Sequence, residues 1–220
     1  MEITWYGHAC FRLKEDKATI ITDPYSKELG LTLPRLSADI VTVSHAHPHH
    51  SEAARLKGAY RRIDGPGEYE IRGIFITATA MYPPNRQYTS QEEAVNDQNI
   101  VYVYQLDRIK ICHLGDMRHV PTQSQVETLE DVDVLFVPVG GGRTLNAAKA
   151  AEVISLIEPS IAIPMHYALP GMTLEMDSLD KFLKEMGVSD GEGTGSLKLS
   201  KAKLPEETQV VVLNCAGLPA

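Results

Sequence analysis

The stretch Ser44-His45-Ala46-His47-Pro48-His49-His50 decides how this sequence is interpreted, because four of its residues are histidines. It follows Ile40-Val41-Thr42-Val43, which is apolar on both faces, as a covered central strand would be. Imidazole is the commonest neutral ligand for zinc and similar ions, and a turn after a rigid strand lets alternate residues direct their rings to one point. The stretch therefore predicts a metal site at a strand end, with a solvated polar loop or an adventitious metal binder as the alternative.

Two other strand-like segments end in residues of the same kind. Ile111-Cys112-His113-Leu114-Gly115-Asp116 ends in a carboxylate, and Ile161-Ala162-Ile163-Pro164-Met165-His166 ends in an imidazole. Alone, each is weak evidence, since Asp after Gly usually marks a turn and a lone His is more often buried and satisfied. Loops at one edge of the sheets converge in an open α/β architecture, so the joint occurrence predicts Asp116 and His166 as ligands of the same centre.

Strand-like and helix-like segments alternate along the rest of the chain. The predicted strands are 3–6, 10–13, 18–22, 40–44, 74–79, 100–106, 109–112, 132–139, 161–165 and 209–213, and the predicted helices are 52–56, 121–130, 146–157 and 179–186. Each half contains strands with helices that would lie outside them. This pattern predicts the α/β class, as an αββα sandwich, in one domain over residues 1–220.

The composition of the chain limits which kinds of molecule the protein is expected to bind. The formal net charge is -8 and the isoelectric point is near 5.5, which argues against nucleic acid and anionic lipid, because both require a concentrated basic surface. Cys10, Cys112 and Cys215 are odd in number and widely spaced, which indicates reduced thiols in a cytoplasmic protein. No apolar run approaches the length of a membrane span. We expect a small-molecule substrate, and the sequence leaves a homo-oligomer open.

With these residues in view, the chain resembles the metallo-β-lactamase superfamily, and within it small stand-alone hydrolases similar to the bacterial ascorbate-6-phosphate lactonases. The resemblance extends over nearly the whole chain. It is carried by Trp5-Tyr6-Gly7-His8-Ala9, Thr22-Asp23-Pro24, the histidine stretch, Pro66-Gly67-Glu68-Tyr69, His113-Leu114-Gly115-Asp116, Val137-Pro138-Val139-Gly140-Gly141 and Pro164-Met165-His166-Tyr167. The histidine stretch with the later Gly-Asp and His is highly specific for the fold, and the other pieces favour the branch.

The resemblance implies an αββα sandwich that holds one or two divalent transition-metal ions, with zinc expected and manganese as a second choice. His45 and His47 would serve one ion, His50 and His166 the other, and Asp116 would bridge them. Asp23 would hold a ligand histidine from behind. Asp116 would also help to hold the nucleophile.

The sequence departs from the pattern of the family at two places. The position of His49 is normally an aspartate; an imidazole can ligate there but supplies no negative charge. The family also places a histidine shortly after the strand equivalent to 74–79, whereas residues 80–88 read Ala-Met-Tyr-Pro-Pro-Asn-Arg-Gln-Tyr. A site with one metal is therefore plausible, and the first ion would keep His45, His47 and Asp116.

His8 is the natural candidate to compensate, because Gly7-His8 lies at a turn between two strands. It could be a metal ligand, the proton donor to the leaving group, a group behind the ligands, or a structural histidine.

The other candidate residues have simpler explanations. His113 is expected in the packing and His119 on the surface. Residues 140–142, three glycines before a helix, could present N–H groups to a phosphate, although a tight turn is the simpler account. An anionic substrate could be neutralised by Arg86, Arg118 or Arg143, although solvated positions are the simpler account for these too.

These expectations favour hydrolysis of a lactone, ester or phosphoester in a small metabolite by metal-activated water, with the charge of the metabolite left open between anionic and neutral. The rival is a non-catalytic binding module with a degenerate metal site, because two expected ligand positions have changed. Nuclease activity is disfavoured by the acidity of the chain.

Overall fold

The computed structural model describes residues 1–129, 131–189, 191–216 and 218. Its strands are β1 (Glu2–Trp5), β2 (Phe11–Lys14), β3 (Thr19–Thr22), β4 (Ile40–Thr42), β5 (Arg61–Ile63), β6 (Gly67–Ile71), β7 (Ile74–Met81), β8 (Asn99–Leu106), β9 (Ile109–His113), β10 (Val134–Pro138), β11 (Ile161–Met165), β12 (Leu197–Lys198) and β13 (Gln209–Val210). Its α-helices are α1 (Pro48–Ser51), α2 (Gln91–Asp97), α3 (Gln123–Glu127), α4 (Ala147–Ile157) and α5 (Leu179–Glu185). Within these described ranges, the helices are too short or too polar to cross a bilayer.

The first sheet has the strand order β12-β1-β2-β3-β4-β5. Its first strands pair antiparallel, whereas β3, β4 and β5 run parallel. Parallel strands end at the same edge of a sheet. As a result Asp23, which follows β3, lies beside the residues that follow β4, and those residues are the histidine stretch.

The second sheet has the strand order β13-β11-β10-β9-β8-β7-β6. From β6 to β9 the strands form an antiparallel meander, and β9, β10, β11 and β13 are parallel neighbours. The ends of β9, β10 and β11 therefore share one edge. Asp116, Gly140 and His166 follow these three strand ends.

The main core lies between the two sheets. Phe11 of the first sheet stacks on Phe136 of the second with ring centroids 4.0 Å apart. The hydroxyl oxygen of the buried Tyr102 lies 2.8 Å from the carbonyl oxygen of Val43 and 3.0 Å from that of Ile63, so its single proton is shared between the two acceptors. Such bonds satisfy carbonyls that have no access to water and fix how the two sheets face each other.

The outer layers of the sandwich differ. On the second sheet α4 contacts β10 and α5, and it buries Ala150, Val153 and Ile154. On the first sheet the cover is the segment 23–38, which contains one 3₁₀ turn at Lys27–Leu29 and buries Tyr25 and Leu29 in a second apolar cluster. Side chains of β3 and β4 therefore alternate between the main core and this second cluster, because neighbouring side chains of a strand point to opposite faces.

Most predicted elements are present with ends shifted by one or two residues, but the helix expected at 52–56 is wrong. The α-helix begins earlier, at Pro48, because the fixed φ of proline suits the first helical position and the side chain of His47 accepts from the His49 N–H. Glu52 leaves helical geometry, and a 3₁₀ turn follows at Ala53–Arg55. The helix expected at 121–130 is confined to α3 in the described residues, and Glu130 lies outside them.

Candidate metal centre

Five side chains converge at the edge where the strand ends of both sheets meet. They are His8 in the β1–β2 turn, His45 and His50 after β4, Asp116 after β9 and His166 after β11. Among the described residues, their ligand atoms form two sets in which all atoms lie within 4.8 Å of one another. The first set is His8, His50 and His166, and the second is His45, His50 and Asp116.

The backbone joins two of these residues across the sheets. His8 and His166 both have a positive φ, at 52° and 55°, a conformation that costs a non-glycine residue free energy. The His166 N–H donates to the His8 carbonyl at 3.0 Å, and the indole N–H of Trp5 donates to the same oxygen at 3.0 Å. These bonds hold the strained turns and so fix the backbone from which the two imidazoles project.

Asp23 fixes His50 and, through Ser44, also His45. Its Oδ2 accepts from the Nδ1 of His50 at 2.8 Å and from the Ser44 hydroxyl at 2.5 Å, and its Oδ1 accepts from the Ser44 N–H at 2.7 Å. The Nδ1 of His45 lies 3.2 Å from the Ser44 hydroxyl oxygen. The protons of both imidazoles are thus held on Nδ1, and each Nε2 presents its lone pair to the cluster.

Asp116 is the carboxylate of the cluster. Its Oδ1 lies 3.4 Å from Nε2 of His166, and its Oδ2 lies 3.6 Å from Nε2 of His45. The guanidinium of Arg118 donates to Oδ2 at 2.9 Å and 3.3 Å. The side-chain oxygen of Asn99 accepts from the Asp116 N–H at 2.8 Å. One face of the carboxylate is therefore held by protein donors and the other faces the imidazoles.

Burial keeps the cluster histidines neutral. It lowers the pKa of His8 and His50 far below the usual value, and neighbouring imidazoles lower both further. Burial also lowers the pKa of His166 and His45, although Asp116 opposes it. For Asp116 itself burial acts to raise the pKa, but the surrounding histidines and Arg118 outweigh it and the pKa is lowered. Neutral imidazoles and an ionised carboxylate are the forms that bind metal.

The structure places the predicted ligands His47 and His49 at the rim. His47 is exposed and outside both sets, with its ring centroid 5.9 Å from that of His45. The Nδ1 of His47 accepts a hydrogen bond from the His49 N–H at 3.2 Å. Its Nε2 has no hydrogen bond to the described residues. The His49 ring lies 4.6 Å from His47 and 6.2 Å from His8 by centroid. Both side chains line the cavity above the cluster.

The two other histidines differ in placement. His113 is buried; its Nε2 lies 2.9 Å from the Ala9 carbonyl oxygen and its Nδ1 accepts from the Gly115 N–H, so it belongs to the packing. His119 is half-buried with an enclosed Nε2, and the surface position expected for it is wrong. Sequence reasoning missed Ser44 and Asn99, because a hydroxyl or amide that holds a ligand from behind has no spacing of its own.

A cavity of about 430 Å³ opens above the cluster. Besides the histidines and Asp116, it is lined by Ala46, Val95, Asn96, Arg118, Gly141, Gly142, Arg143, Leu174, Glu175 and Met176. Gly140, next to this wall, tolerates no side chain, since a Cβ there would lie 2.1 Å from the carbonyl oxygen of His166. Of the three glycines at 140–142, which were predicted either to bind phosphate or to form a turn, Gly140 is therefore required because the backbone at His166 passes too close to admit a side chain.

The donor set fits a transition metal. The Nε2 atoms of His8 and His50 face each other at 3.0 Å inside the protein, and the proton of His50 is held on Nδ1 by Asp23. A third nitrogen, from His166, and a carboxylate complete a set of three imidazoles and one oxygen. Such a set suits zinc and its borderline neighbours better than calcium or magnesium, which prefer oxygen ligands.

Comparison with known proteins connects this geometry to one family. A family model described as "Beta-lactamase superfamily domain" matches residues 2–166. A metal-dependent hydrolase from Methanopyrus kandleri is 24% identical over 86% of this chain and 94% of its own. A protein from Pyrococcus abyssi is 27% identical over 78% of this chain and 85% of its own. A crystal structure from Thermotoga maritima, described as a candidate Zn-dependent hydrolase of the metallo-β-lactamase superfamily, is 38% identical with a TM-score of 0.77, and the match covers 96% of this chain and 97% of that one.

Proposed function

Because this chain belongs to the β-lactamase superfamily, with the fold predicted from its sequence, we propose that it is a metal-dependent hydrolase of a small-molecule substrate. The observation that carries the proposal is the convergence of neutral, buried imidazoles and one ionised carboxylate at the bottom of a cavity. Relatives named as metal-dependent hydrolases support the same reaction class.

The ligand set of this proposal differs from the one that the resemblance implies. His50 belongs to both sets, and its Nδ1 is held by Asp23, so Nε2 is the nitrogen left for a metal. An imidazole nitrogen has one lone pair and therefore serves one ion. We assign it to a tightly held ion shared with His8, His166 and Asp116. A second ion at His45 and Asp116 would have to recruit His47 from the rim, so it binds more weakly.

His8 is thereby a ligand and not the proton donor to the leaving group. It is fully buried, its Nε2 faces that of His50, and its pKa is lowered far below the usual range by burial. A general acid must carry its proton at the working pH. His8 thus joins His50 and His166 as a third nitrogen ligand, whereas the place of the histidine that residues 80–88 do not supply, beside His45 and His47, stays unfilled.

A divalent transition metal held by His8, His50, His166 and Asp116, zinc by the donor set, would lower the pKa of water toward neutrality and polarise the scissile oxygen. The chain itself supplies the positioning. Asp116 would accept a hydrogen bond from the attacking water, and Arg118 fixes the orientation of its carboxylate. The cavity above admits a lactone, ester or phosphoester of metabolite size.

The test compares metal content and activity in matched histidine variants. His8→Ala and His166→Ala should each lose the tightly bound ion in elemental analysis after dialysis, while His119→Ala, outside both sets, should keep it. The parent protein should hydrolyse a member of a lactone, ester and phosphoester panel, lose that activity with chelator and regain it with zinc. Unchanged metal content in both ligand variants would contradict the ligand set. A metal-loaded protein that is inactive on a wide panel would support the non-catalytic module instead.

A further inference from the structure

The charged residues that line the cavity balance one another before any ion is counted. They are Asp116 and Glu175 against Arg118 and Arg143, so their formal charges sum to zero. Each bound divalent ion would add two positive charges, and His49, at a position where an aspartate is usual, supplies no negative charge. The loaded cavity is therefore positive, although the chain as a whole carries a formal charge of -8. A positive cavity in an acidic protein selects anionic ligands locally.

Arg143 lines the cavity, and the N–H groups of its guanidinium are free to bind a ligand. Arg118 is engaged by Asp116 at 2.9 Å and by Asp97 at 3.5 Å. Arg143 is exposed and has no hydrogen bond or ion pair with any residue in the described ranges, Glu175 included. It follows Gly142, whose φ of 64° turns the chain after β10 toward the cavity. An unpaired guanidinium offers two parallel N–H donors to a carboxylate or phosphate.

The same cavity has an apolar wall. Within the described residues, the large hydrophobic side chains that are exposed are Phe75, Val95, Leu156 and Leu174. Val95, 55% exposed, and Leu174, 37% exposed, both line this cavity together with Met176. Exposed apolar side chains gathered at a cavity mark a place where a ligand covers them.

We propose that the substrate is a small organic anion with an apolar carbon skeleton, a conclusion that rests on the proposed function. Its carboxylate or phosphate binds Arg143, its skeleton lies against Val95 and Leu174, and its ester or lactone bond lies at the histidine cluster. In the reaction the oxygen of water bonds to the acyl carbon and the acyl C–O bond breaks. One proton of water goes to the leaving oxygen, and the new carboxylic acid releases the other.

Binding of simple acids tests the Arg143 contact without turnover. Calorimetry on the zinc-loaded protein would compare hexanoate, whose single carboxylate can reach the metal, with adipate, which adds a second carboxylate at the far end. Adipate should bind about 10-fold more tightly than hexanoate, as expected for one charge-assisted hydrogen-bonded pair. Arg143→Met should erase this difference, and Arg35→Met, an exposed arginine outside the cavity lining, should preserve it. Equal binding of the two acids by the parent, or an unchanged ratio in Arg143→Met, would overturn the proposal.

Two further arms complete the test. 5-Phosphonopentanoate, which replaces one carboxylate of adipate by a phosphonate across the same four methylene groups, distinguishes a phosphate from a carboxylate as the preferred group. Leu174→Ser should weaken hexanoate about 10-fold and leave acetate unchanged; equal effects on both acids would overturn the role of the apolar wall.

Kinetics separate this proposal from the proposed function. In Arg143→Met the KM of mono-4-nitrophenyl adipate should rise about 10-fold, while that of 4-nitrophenyl hexanoate stays constant. Hydrolysis of both esters with unchanged KM values in the variant would overturn the anion contact and leave the hydrolase intact. Failure to hydrolyse either ester, with the binding difference preserved, would contradict the hydrolase and leave the anion site standing.

Discussion

Asp23→Asn should weaken metal binding while the fold survives. The substitution keeps size and shape, and asparagine tolerates the φ of 37° found at this position. The amide oxygen can still accept from the Ser44 N–H, which now donates to Oδ1. The amide NH₂, however, would take the place of Oδ2, which accepts from Nδ1 of His50 and from the Ser44 hydroxyl.

The magnitude follows from the proton of His50. An NH₂ group cannot accept from Nδ1, so His50 must move its proton to Nε2 and lose the lone pair that faces the cluster, or else leave Nδ1–H without a partner. A hydrogen bond to a charged group contributes about 1.5–3 kcal/mol. This corresponds to a 10- to 100-fold rise in the zinc Kd, in the range found when groups behind metal ligands are changed.

The assay is competition with a chromophoric chelator of known zinc affinity. Asp39→Asn is the matched control, because Asp39 accepts from the Thr19 N–H and pairs with Arg72 at the opposite end of the first sheet. It should leave the zinc Kd unchanged. Circular dichroism should show parent-like folding of both variants. An Asp23→Asn protein that binds zinc as tightly as the parent would refute the reasoning that Asp23 sets the tautomer of His50.

Three further predictions concern stability and the site. Burial lowers the pKa of His8, His50, His113 and His166 below the ordinary value of 6.5, so the unfolded chain binds protons that the folded chain does not. The free energy of unfolding of the metal-free protein should therefore fall as the pH drops from about 7.5 to about 5.5, and the raised pKa of Asp23 acts in the opposite direction. Urea titrations at the two pH values would show this as a lower midpoint at the lower pH, and coincident curves would contradict it. Gly140→Ala should displace His166, since the new Cβ would lie 2.1 Å from its carbonyl oxygen; metal content should fall, whereas Gly187→Ala, with open space around it, should keep it. Phe136→Ala should lower the free energy of unfolding by about 3–5 kcal/mol, because it removes the ring stacked on Phe11 across the core. Thermal unfolding would measure this loss, and a loss under about 1 kcal/mol would mean that the sheets repack.

The strands that carry ligands could be predicted because they are buried on both faces. Runs such as Val134–Pro138 are apolar throughout, and a covered parallel strand has this pattern. In contrast, β5 begins Arg61-Arg62, both exposed, so no alternation or apolar run marks it. The helix α2 has no buried residue, and therefore no apolar stripe from which to predict it.

Residues of the candidate site could be predicted where they stand at a characteristic spacing in the sequence or directly after a predicted strand. Asp116 and His166 stand at strand ends and lie in the cluster as expected. His8 was left with several roles because its neighbours in sequence say nothing about His50, which is 42 residues away and 3.0 Å from it. His47 and His49 share the motif yet lie at the rim, since the early start of α1 at Pro48 turns them outward.

The hydrogen bond from His166 to the carbonyl of His8 has a consequence for how the protein acquires its ion. Two of the proposed ligands are brought together by the main chain, and a third is held by Asp23, so we expect the chain to complete folding before any metal binds. The ion is then chosen by a finished cavity that has little means of changing its shape to reject a competitor. Copper and nickel bind imidazole sites at least as strongly as zinc does. Which ion the protein carries is consequently decided by the free concentrations of metals in the compartment where it folds, and protein from a host with a different metal balance should carry a different ion.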